Sequence, residues 1–450
     1  MSIHQDVLII GAGPAGLFAA RALQDSGIAV TILERGKSPE QRESLNYGVG
    51  GAGAFSDGKL NLTPDIGGEP SSFGRTADEI VPYIERVDRI FTEYNGSSEY
   101  SGLSGDALQT LKQKAGKYGV EFLGGRQRHF GTSRVRRIIG RFYAHLQENG
   151  IQFALETPVK SLQKTGGGFI AETEHESYAA PYVIAAPGRS GAYWLRQEAR
   201  SSGIDFSYGP IDVGIRVEFP AEIYDPIESV MYDAKFRLRT RTYDDLVRTF
   251  CTNPRGYVIS EEYDGFVLVN GHAEDQEKTN CTNFALLSRV ELTDPVEDTT
   301  QYGRSIAILA NTIGGGKPIL QRFKDLRQGR RSTESRIHRA SVSPTLKDYT
   351  TGDISMALPD RVLMNLVEGL DQLNQIIEGL TGDNTLLYAP EIKFYDTRYE
   401  VNRHLETTLP GFYVAGDASG HSRGIVYAAI TGMIAAEDIQ NRLVGQDREE

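Results

Sequence analysis

The sequence predicts an α/β protein: a doubly wound parallel sheet assembled from distant segments, interrupted by a mainly antiparallel β (α+β) domain. Three observations predict it. A strand–glycine–helix–strand unit opens the chain at Asp6–Gly36, and a strand–glycine–helix unit closes it at Leu409–Ile439. Between them, from about residue 204, alternating apolar and polar residues point to half-buried antiparallel strands. The expected division is therefore 1–203 and 346–450 for the two parts of the first domain, and 204–345 for the insert.

The first unit reads "DVLIIGAGPAGLFAARALQDSGIAVTILERG". Val7–Ile10 is the short apolar run of a buried parallel strand. Gly11, Gly13 and Gly16 fit G-x-G-x-x-G and lead, through Pro14 and Ala15, into a helix with apolar spacing. "AVTIL" is the second strand, and Glu34 stands at its end. Each part has a physical task in a Rossmann-like, dinucleotide-binding unit. Gly11 makes the tight turn, Gly13 lets a pyrophosphate approach the backbone, and Gly16 brings helix and strand together. The helix N-terminus offers unpaired N–H groups to phosphate. Glu34 can accept hydrogen bonds from a ribose diol, and Arg35 beside it leaves room for a 2′-phosphate.

The closing unit decides between cofactors. "FYVAGD" is a strand ending in Gly416-Asp417, followed by a glycine-rich loop and a helix from about Ile425. It resembles the unit that closes the flavin site in many FAD enzymes. That resemblance implies that Asp417 reaches the ribityl or pyrophosphate region. The helix start at Gly424 and Ile425 would face the pyrimidine side of the flavin, where its dipole favours the negative charge of reduction. The expected cofactor is FAD, bound noncovalently.

The stretch "GVGGAGAFSDGKL", Gly48–Leu60, holds five glycines in thirteen residues. Glycine is entropically unfavourable in a fold, so a turn or a close backbone approach must require it. No second strand–GxGxxG–helix unit exists in the sequence. The block is therefore expected to run along the FAD, with Gly50, Gly51, Ala52 and Gly53 nearest to it. Ser56 and Lys59 would reach phosphates or the flavin N5 edge.

Several blocks together resemble one bacterial and archaeal family. They are "GVGGAGAFSDGKL", "HFGTSRV", "VIAAPGRSGAYWL", "VGIRVEF", "RTFCTNPRGYV", "LVNGHAE" and "GFYVAGDASGHSRGIVYAAITGMIAAE". In this order they are similar to FAD-dependent dehydrogenases, the NAD(P)/FAD-dependent oxidoreductases, with a glutathione-reductase-like FAD fold. The resemblance covers most of the chain and implies a flavin redox enzyme. By the same resemblance, a β-meander follows residue 155, Val159 holds adenine through its backbone, and the turn Ala186–Ser190, with Gly188, returns the chain to the nucleotide fold. The departures mark a divergent member. Val49 replaces an acid, "AAPGRSGAY" stands for an ATGHSARD-like stretch, and "GDASGHSRGI" for GEGAGYAGGI.

In the middle of the chain, Asp212–Phe219 reads as a half-buried strand and "YVISEEYDGFVLVNG" as a hairpin. "RSIAILANT", Arg304–Thr312, reads as another strand, and Pro359–Gly379 as an amphipathic helix. Catalytic candidates are His421 and Arg423, in the loop expected beside the flavin, and Cys251 in the RTFC block. His404 and Glu391 are further candidates. No His/Cys/Asp cluster has metal-ligand spacing.

The formal net charge of −12 disfavours nucleic acid and acidic membrane as partners. Two cysteines, Cys251 and Cys281, are too few for a disulfide framework. No run approaches the ~18 apolar residues of a bilayer span. A soluble, cytoplasmic enzyme acting on a small-molecule substrate is the expectation, with the oligomeric state open. Three functions fit: hydride transfer through flavin N5 to or from a small organic substrate, with NADPH or NADH as a candidate electron donor; a FAD-dependent monooxygenase using NAD(P)H and oxygen; and a non-catalytic FAD-binding protein.

Overall fold

The computed structural model describes residues 2–44, 46–55, 58–94, 99–102, 105–263, 265–273, 277–292, 298–394 and 397–446. The chain divides into two compact units. The first comprises Met1–Glu99, Arg128–Ser207 and Thr397–Glu450; the second comprises Tyr100–Gln127 and Tyr208–Asp396.

The first unit is built on a five-stranded sheet whose order is Phe412–Val414, Tyr182–Ala185, Val7–Ile10, Val30–Leu33 and Gln152–Ala154. Neighbours run parallel throughout. All four residues of Val7–Ile10 and of Val30–Leu33 are buried, as expected for strands covered on both faces. On one face lie the helices Pro14–Leu23 and Ile425–Gln446. These two helices approach closely, because a Cβ on Gly432 would meet the Ala15 carbonyl oxygen at 2.0 Å. The other face packs on Leu162, Phe169 and Tyr178 of a four-stranded meander, and on Leu195 and Ala199 of the helix Ala192–Ser202. The helix Thr132–Glu148 buries Val135, Ile138, Ile139, Phe142 and Leu146, a single 3.6-residue stripe.

The second unit holds an eight-stranded sheet. Its order is Thr350–Thr351, Ile319–Arg322, Leu386–Lys393, Ile211–Pro220, Cys281–Val290, Leu246–Asn253, Lys235–Arg239 and Val120–Leu123. Only the Thr350–Thr351 pairing is parallel. The expected hairpin forms as Tyr257–Tyr263 and Phe266–His272, and the amphipathic helix as Asp360–Leu373.

Three expectations differ from what forms. The strand Ile211–Pro220 is present, but Asp212–Phe219 is buried on both faces rather than half-buried. Arg304–Thr312 is not a strand but lies within the helix Thr299–Gly314. Asp298 caps its N-terminus by accepting from the Gln301 N–H, and left-handed Gly315 ends it. Gly303, Ile306, Ala307 and Ala310 form the buried face, while Ile308 and Leu309 stay exposed. The division also differs at residues 100–127, which belong to the second unit through the pairing of Val120–Leu123 with Lys235–Arg239, and at residue 345. Leu386–Lys393 is hydrogen-bonded between Ile211–Pro220 and Ile319–Arg322, so the second unit runs on to residue 396.

Candidate functional site

The parallel sheet sets its glycine turns side by side at the carboxyl ends of its strands. A ladder of backbone bonds continues past those ends: Ala415 N–H to Ala185 O at 3.0 Å, Ala186 N–H to Ile10 O at 2.8 Å, and Gly11 N–H to Leu33 O at 2.8 Å. Gly11, Ala186, Gly188, Gly416 and Asp417 are thereby brought to one edge, which is where open α/β sheets bind ligands.

Gly11 and Gly16 are there for the protein itself. A Cβ on Gly11, at φ +104°, would lie 2.3 Å from the Ala186 carbonyl oxygen, and one on Gly16 would lie 2.0 Å from Gly11 O. Gly13 is different. It has an ordinary φ of −73°, and a Cβ there meets nothing nearer than the Gly51 Cα at 3.9 Å. It precedes the helix Pro14–Leu23, whose N-terminus has no side-chain cap. The first-turn N–H groups of such a helix need an acceptor from outside it. Gly188 and Gly424 likewise face open space, both at positive φ.

Glu34 is buried, and its carboxylate accepts three backbone N–H groups. Oε2 takes Ala12 at 2.8 Å, and Oε1 takes Gly36 at 2.8 Å and Gly48 at 2.9 Å. An ionised carboxylate has about four acceptor sites, so about one is left for a ribose hydroxyl. Arg35 points elsewhere: it donates to Ser190 Oγ at 2.7 Å and lies over the Tyr47 ring at 4.4 Å.

The glycine-rich loop wraps over this motif. Gly48, Gly50 and Gly51 take positive φ, and Gly50 N–H donates to Ala12 O at 2.8 Å. A Cβ on Gly51 would lie 3.1 Å from the Gly13 Cα; one on Gly53 would lie 3.0 Å from Ile425 and 3.2 Å from Pro14. The close backbone approach that the sequence predicts is therefore, for Gly51 and Gly53, an approach to the first and last motifs. Ala52 is half-buried at the start of a short 3-10 turn, and Lys59 is half-buried in the strand Lys59–Asn61. Ser56 lies outside the described residues. Val159 packs, partly buried, against the core between sheet and meander.

What holds the loop is Arg42, a residue with no sequence signal. Its buried guanidinium donates to the carbonyl oxygens of Ser44, Val49 and Gly51 at 2.8–3.1 Å, and to Gly48 at 3.4 Å. Burial pulls its pKa down to about 10, opposed by the Glu34 charge, so it remains a cation at neutral pH. An arginine in a polar loop ordinarily reads as solvated.

The last motif is tied as tightly. Ser422 Oγ donates to Asp417 Oδ1 at 3.1 Å, Gly424 N–H to Oδ2 at 3.5 Å, and Arg189 Nε stands 3.8 Å from Oδ2. Arg423 donates to the Asp417 carbonyl oxygen at 3.0 Å and to that of Ser422 at 2.5 Å, closing the loop on itself. His421 is buried rather than presented. The network assigns its proton to Nε2, donating to Tyr399 O at 2.9 Å, while Nδ1 accepts from Ser72 Oγ at 2.9 Å. Burial lowers its pKa to about 4. Both ring nitrogens are thus engaged within the protein.

Cys251, in the second unit, is half-exposed at φ +47°. Its carbonyl oxygen accepts from Arg216 at 2.8 Å and from Asn253 at 2.9 Å, and Asn253 Nδ2 stands 3.8 Å from its Sγ. Glu391, also in the second unit, is fully buried against Arg216. His404 is partly exposed, 3.6 Å from Asp438.

The cradle matches known proteins. Residues 4–44 match the family described as "FAD binding domain", and residues 210–394 match "FAD-dependent protein, C-terminal domain-like". A divergent FAD-dependent family member fits these two matches. An "uncharacterized protein" of Clostridium beijerinckii is 24% identical over 96% of this chain and 80% of its own. The oxygen-dependent choline dehydrogenase of Brucella anthropi is 34% identical over 103 residues, 22% of this chain and 18% of that one. Among solved structures, 3-ketosteroid-delta4-(5alpha)-dehydrogenase from Rhodococcus jostii aligns over 97% of both chains at 13% identity, with a TM-score of 0.45. The two matched descriptions name a FAD-binding domain and a FAD-dependent protein. The residues present fit that cofactor: an uncapped helix N-terminus, open space before Gly13, Gly188 and Gly424, and a spare acceptor on Glu34. Among the described residues no helix is long and apolar enough to cross a membrane.

Proposed function

We propose that this FAD-dependent protein is a dehydrogenase or reductase of a small organic substrate. The observation that carries the reading is the convergence of Gly13, Glu34, Gly188 and Asp417 at the carboxyl edge of one parallel sheet. When bound, FAD supplies a reversible two-electron carrier that gives or takes hydride at N5.

The residues have separate tasks. Gly13 and the N–H groups of Ala15 and Gly16 bind pyrophosphate. Glu34 orients the adenosine ribose. Arg42 fixes Gly48–Gly51 in the conformation that leaves the space before Gly13 open. Asp417, held by Ser422 and facing Arg189, receives the ribityl hydroxyls. The start of Ile425–Gln446 points its positive end at the site and favours negative charge there. His421, neutral and buried, keeps this loop in place.

NADPH or NADH is the proposed electron donor. The test is anaerobic mixing of the FAD-loaded protein with each nicotinamide while the oxidised-flavin band is followed. Rapid bleaching is expected with at least one of them. Its absence in a FAD-replete protein would remove the nicotinamides as donors and leave an enzyme reduced by its own substrate. Product formation only after oxygen is admitted would replace this reading with a monooxygenase.

A further inference from the structure

The eight-stranded sheet has two unlike faces. Val213, Ile215, Val217 and Phe219 lie on one, with Phe284 and Leu286 of the neighbouring strand, and all six are buried. Side chains alternate along a strand, so Asp212, Arg216 and Glu218 lie on the other. The register adds residues to that second face. Lys393 pairs with Asp212 and Glu391 with Gly214; Arg289 pairs with Asp212; Arg248 and Phe250 pair with Leu287 and Ala285; and Lys235 lies two residues from Arg237, the partner of Arg248.

The charges on this face meet in close ion pairs. Asp212, fully buried, faces Arg248 at 2.6 Å and Arg289 at 3.6 Å. Glu391, also fully buried, faces Arg216 at 3.2 Å and Lys393 at 2.9 Å. Asp233 faces Lys235 at 2.6 Å. Among the described residues, these five cations face three carboxylates, and Arg248 and Arg289 keep 23% and 34% of their side chains exposed. Glu218 lies on the same face and accepts from the hydroxyls of Tyr388 and Thr345, while burial raises its pKa.

Three of the cations meet at one aromatic ring. Lys235 Nζ and Arg248 Cζ each lie 5.1 Å from the Phe250 centroid, and Lys393 Nζ lies 5.7 Å from it. Lys235 and Lys393 are each 9% exposed and Arg248 23%, while Phe250 is half-buried. A partly open apolar plate ringed by nearly buried cations suits one kind of ligand: a carboxylate on a flat or apolar body. A carboxylate can take two donors at once, while its body lies against the ring.

We propose that this face binds an organic carboxylate, held by Lys235, Arg248 and Lys393 with its apolar part against Phe250. As a statement of substrate class it rests on the oxidoreductase reading above; as a binding site it does not.

The experiment is calorimetric titration of the FAD-loaded protein with benzoate, and with benzamide as the uncharged isostere, at matched ionic strength. Saturable benzoate binding is expected, at least tenfold tighter than benzamide. Phe250→Leu is expected to weaken benzoate severalfold, and Lys393→Met and Lys235→Gln at least tenfold each. FAD content and thermal midpoint check the fold of each variant. If one lysine variant does not fold, the other and Phe250→Leu carry the comparison. No saturable benzoate binding, equal binding of benzamide, or unchanged binding in the folded variants overturns the proposal. Binding without flavin reduction by any donor would sustain the site and defeat only the oxidoreductase reading.

Discussion

Arg42 donates a 2.8 Å hydrogen bond to the carbonyl oxygen of Gly51, nine residues away, and the same guanidinium binds the carbonyls of Ser44, Gly48 and Val49. One buried cation thus fixes a loop rich in positive-φ glycines against the first motif. Arg42→Met removes the guanidinium donor from the Ser44, Val49 and Gly51 carbonyls, while Gly48 keeps the Gly51 N–H. Each buried, unpaired group costs about 1–3 kcal/mol. The variant is expected to lose at least ~2 kcal/mol of stability and to bind FAD more weakly, read by urea denaturation and by flavin fluorescence titration. Arg42→Lys is expected to restore little, because one ammonium cannot reproduce the planar fork. Wild-type stability and affinity in Arg42→Met would show that the loop holds itself.

Glu34→Gln replaces an acceptor by a donor. Oε1 and Oε2 both accept backbone N–H groups, so the new amide nitrogen must face at least one of them. The expected loss of stability is about 1–3 kcal/mol, with weaker FAD binding alongside it. Equal urea midpoints for the two proteins would contradict the assignment.

His421 gives a pH dependence. Burial pulls its pKa down to about 4, against about 6.5 in an unfolded chain. As pH falls below about 6.5 the unfolded chain takes the proton first. Stability from this group is therefore complete above about 6.5 and is lost as pH falls toward about 4, by roughly 3 kcal/mol in all. The check is the urea midpoint of wild type and His421→Gln between pH 7 and pH 4.5. The gap between them should narrow as the pH drops; parallel profiles would contradict a buried neutral imidazole.

Much of the parallel sheet was legible because its strands are continuous apolar runs bounded by glycine turns. The first and last motifs each keep their spacing within one short segment, and the structure sets them side by side. Legibility failed where the deciding partner lies far away in sequence. Arg42 is an ordinary loop arginine until its carbonyl partners are seen. His421 stands in the sequence as a catalytic candidate, and the partners of its two nitrogens, Ser72 and Tyr399, are far from it in sequence. Arg304–Thr312 looked like a strand because Ile306 and Ile308 alternate. The cap at Asp298 and the stop at Gly315 carried the helix signal instead. Leu386–Lys393 joined the second unit because its partners, Ile211–Pro220 and Ile319–Arg322, precede it by many residues.

The most direct measurement is FAD affinity in Gly13→Ala, set beside the thermal midpoint of the same protein without FAD. The added methyl meets no protein atom nearer than 3.9 Å, so the apoprotein should melt as wild type does. In the space assigned to pyrophosphate the methyl creates a clash of about 1–3 kcal/mol, raising the FAD dissociation constant about 10- to 100-fold. Unchanged affinity would mean that FAD, if bound, does not approach the backbone at Gly13, and the cradle described here would be wrong.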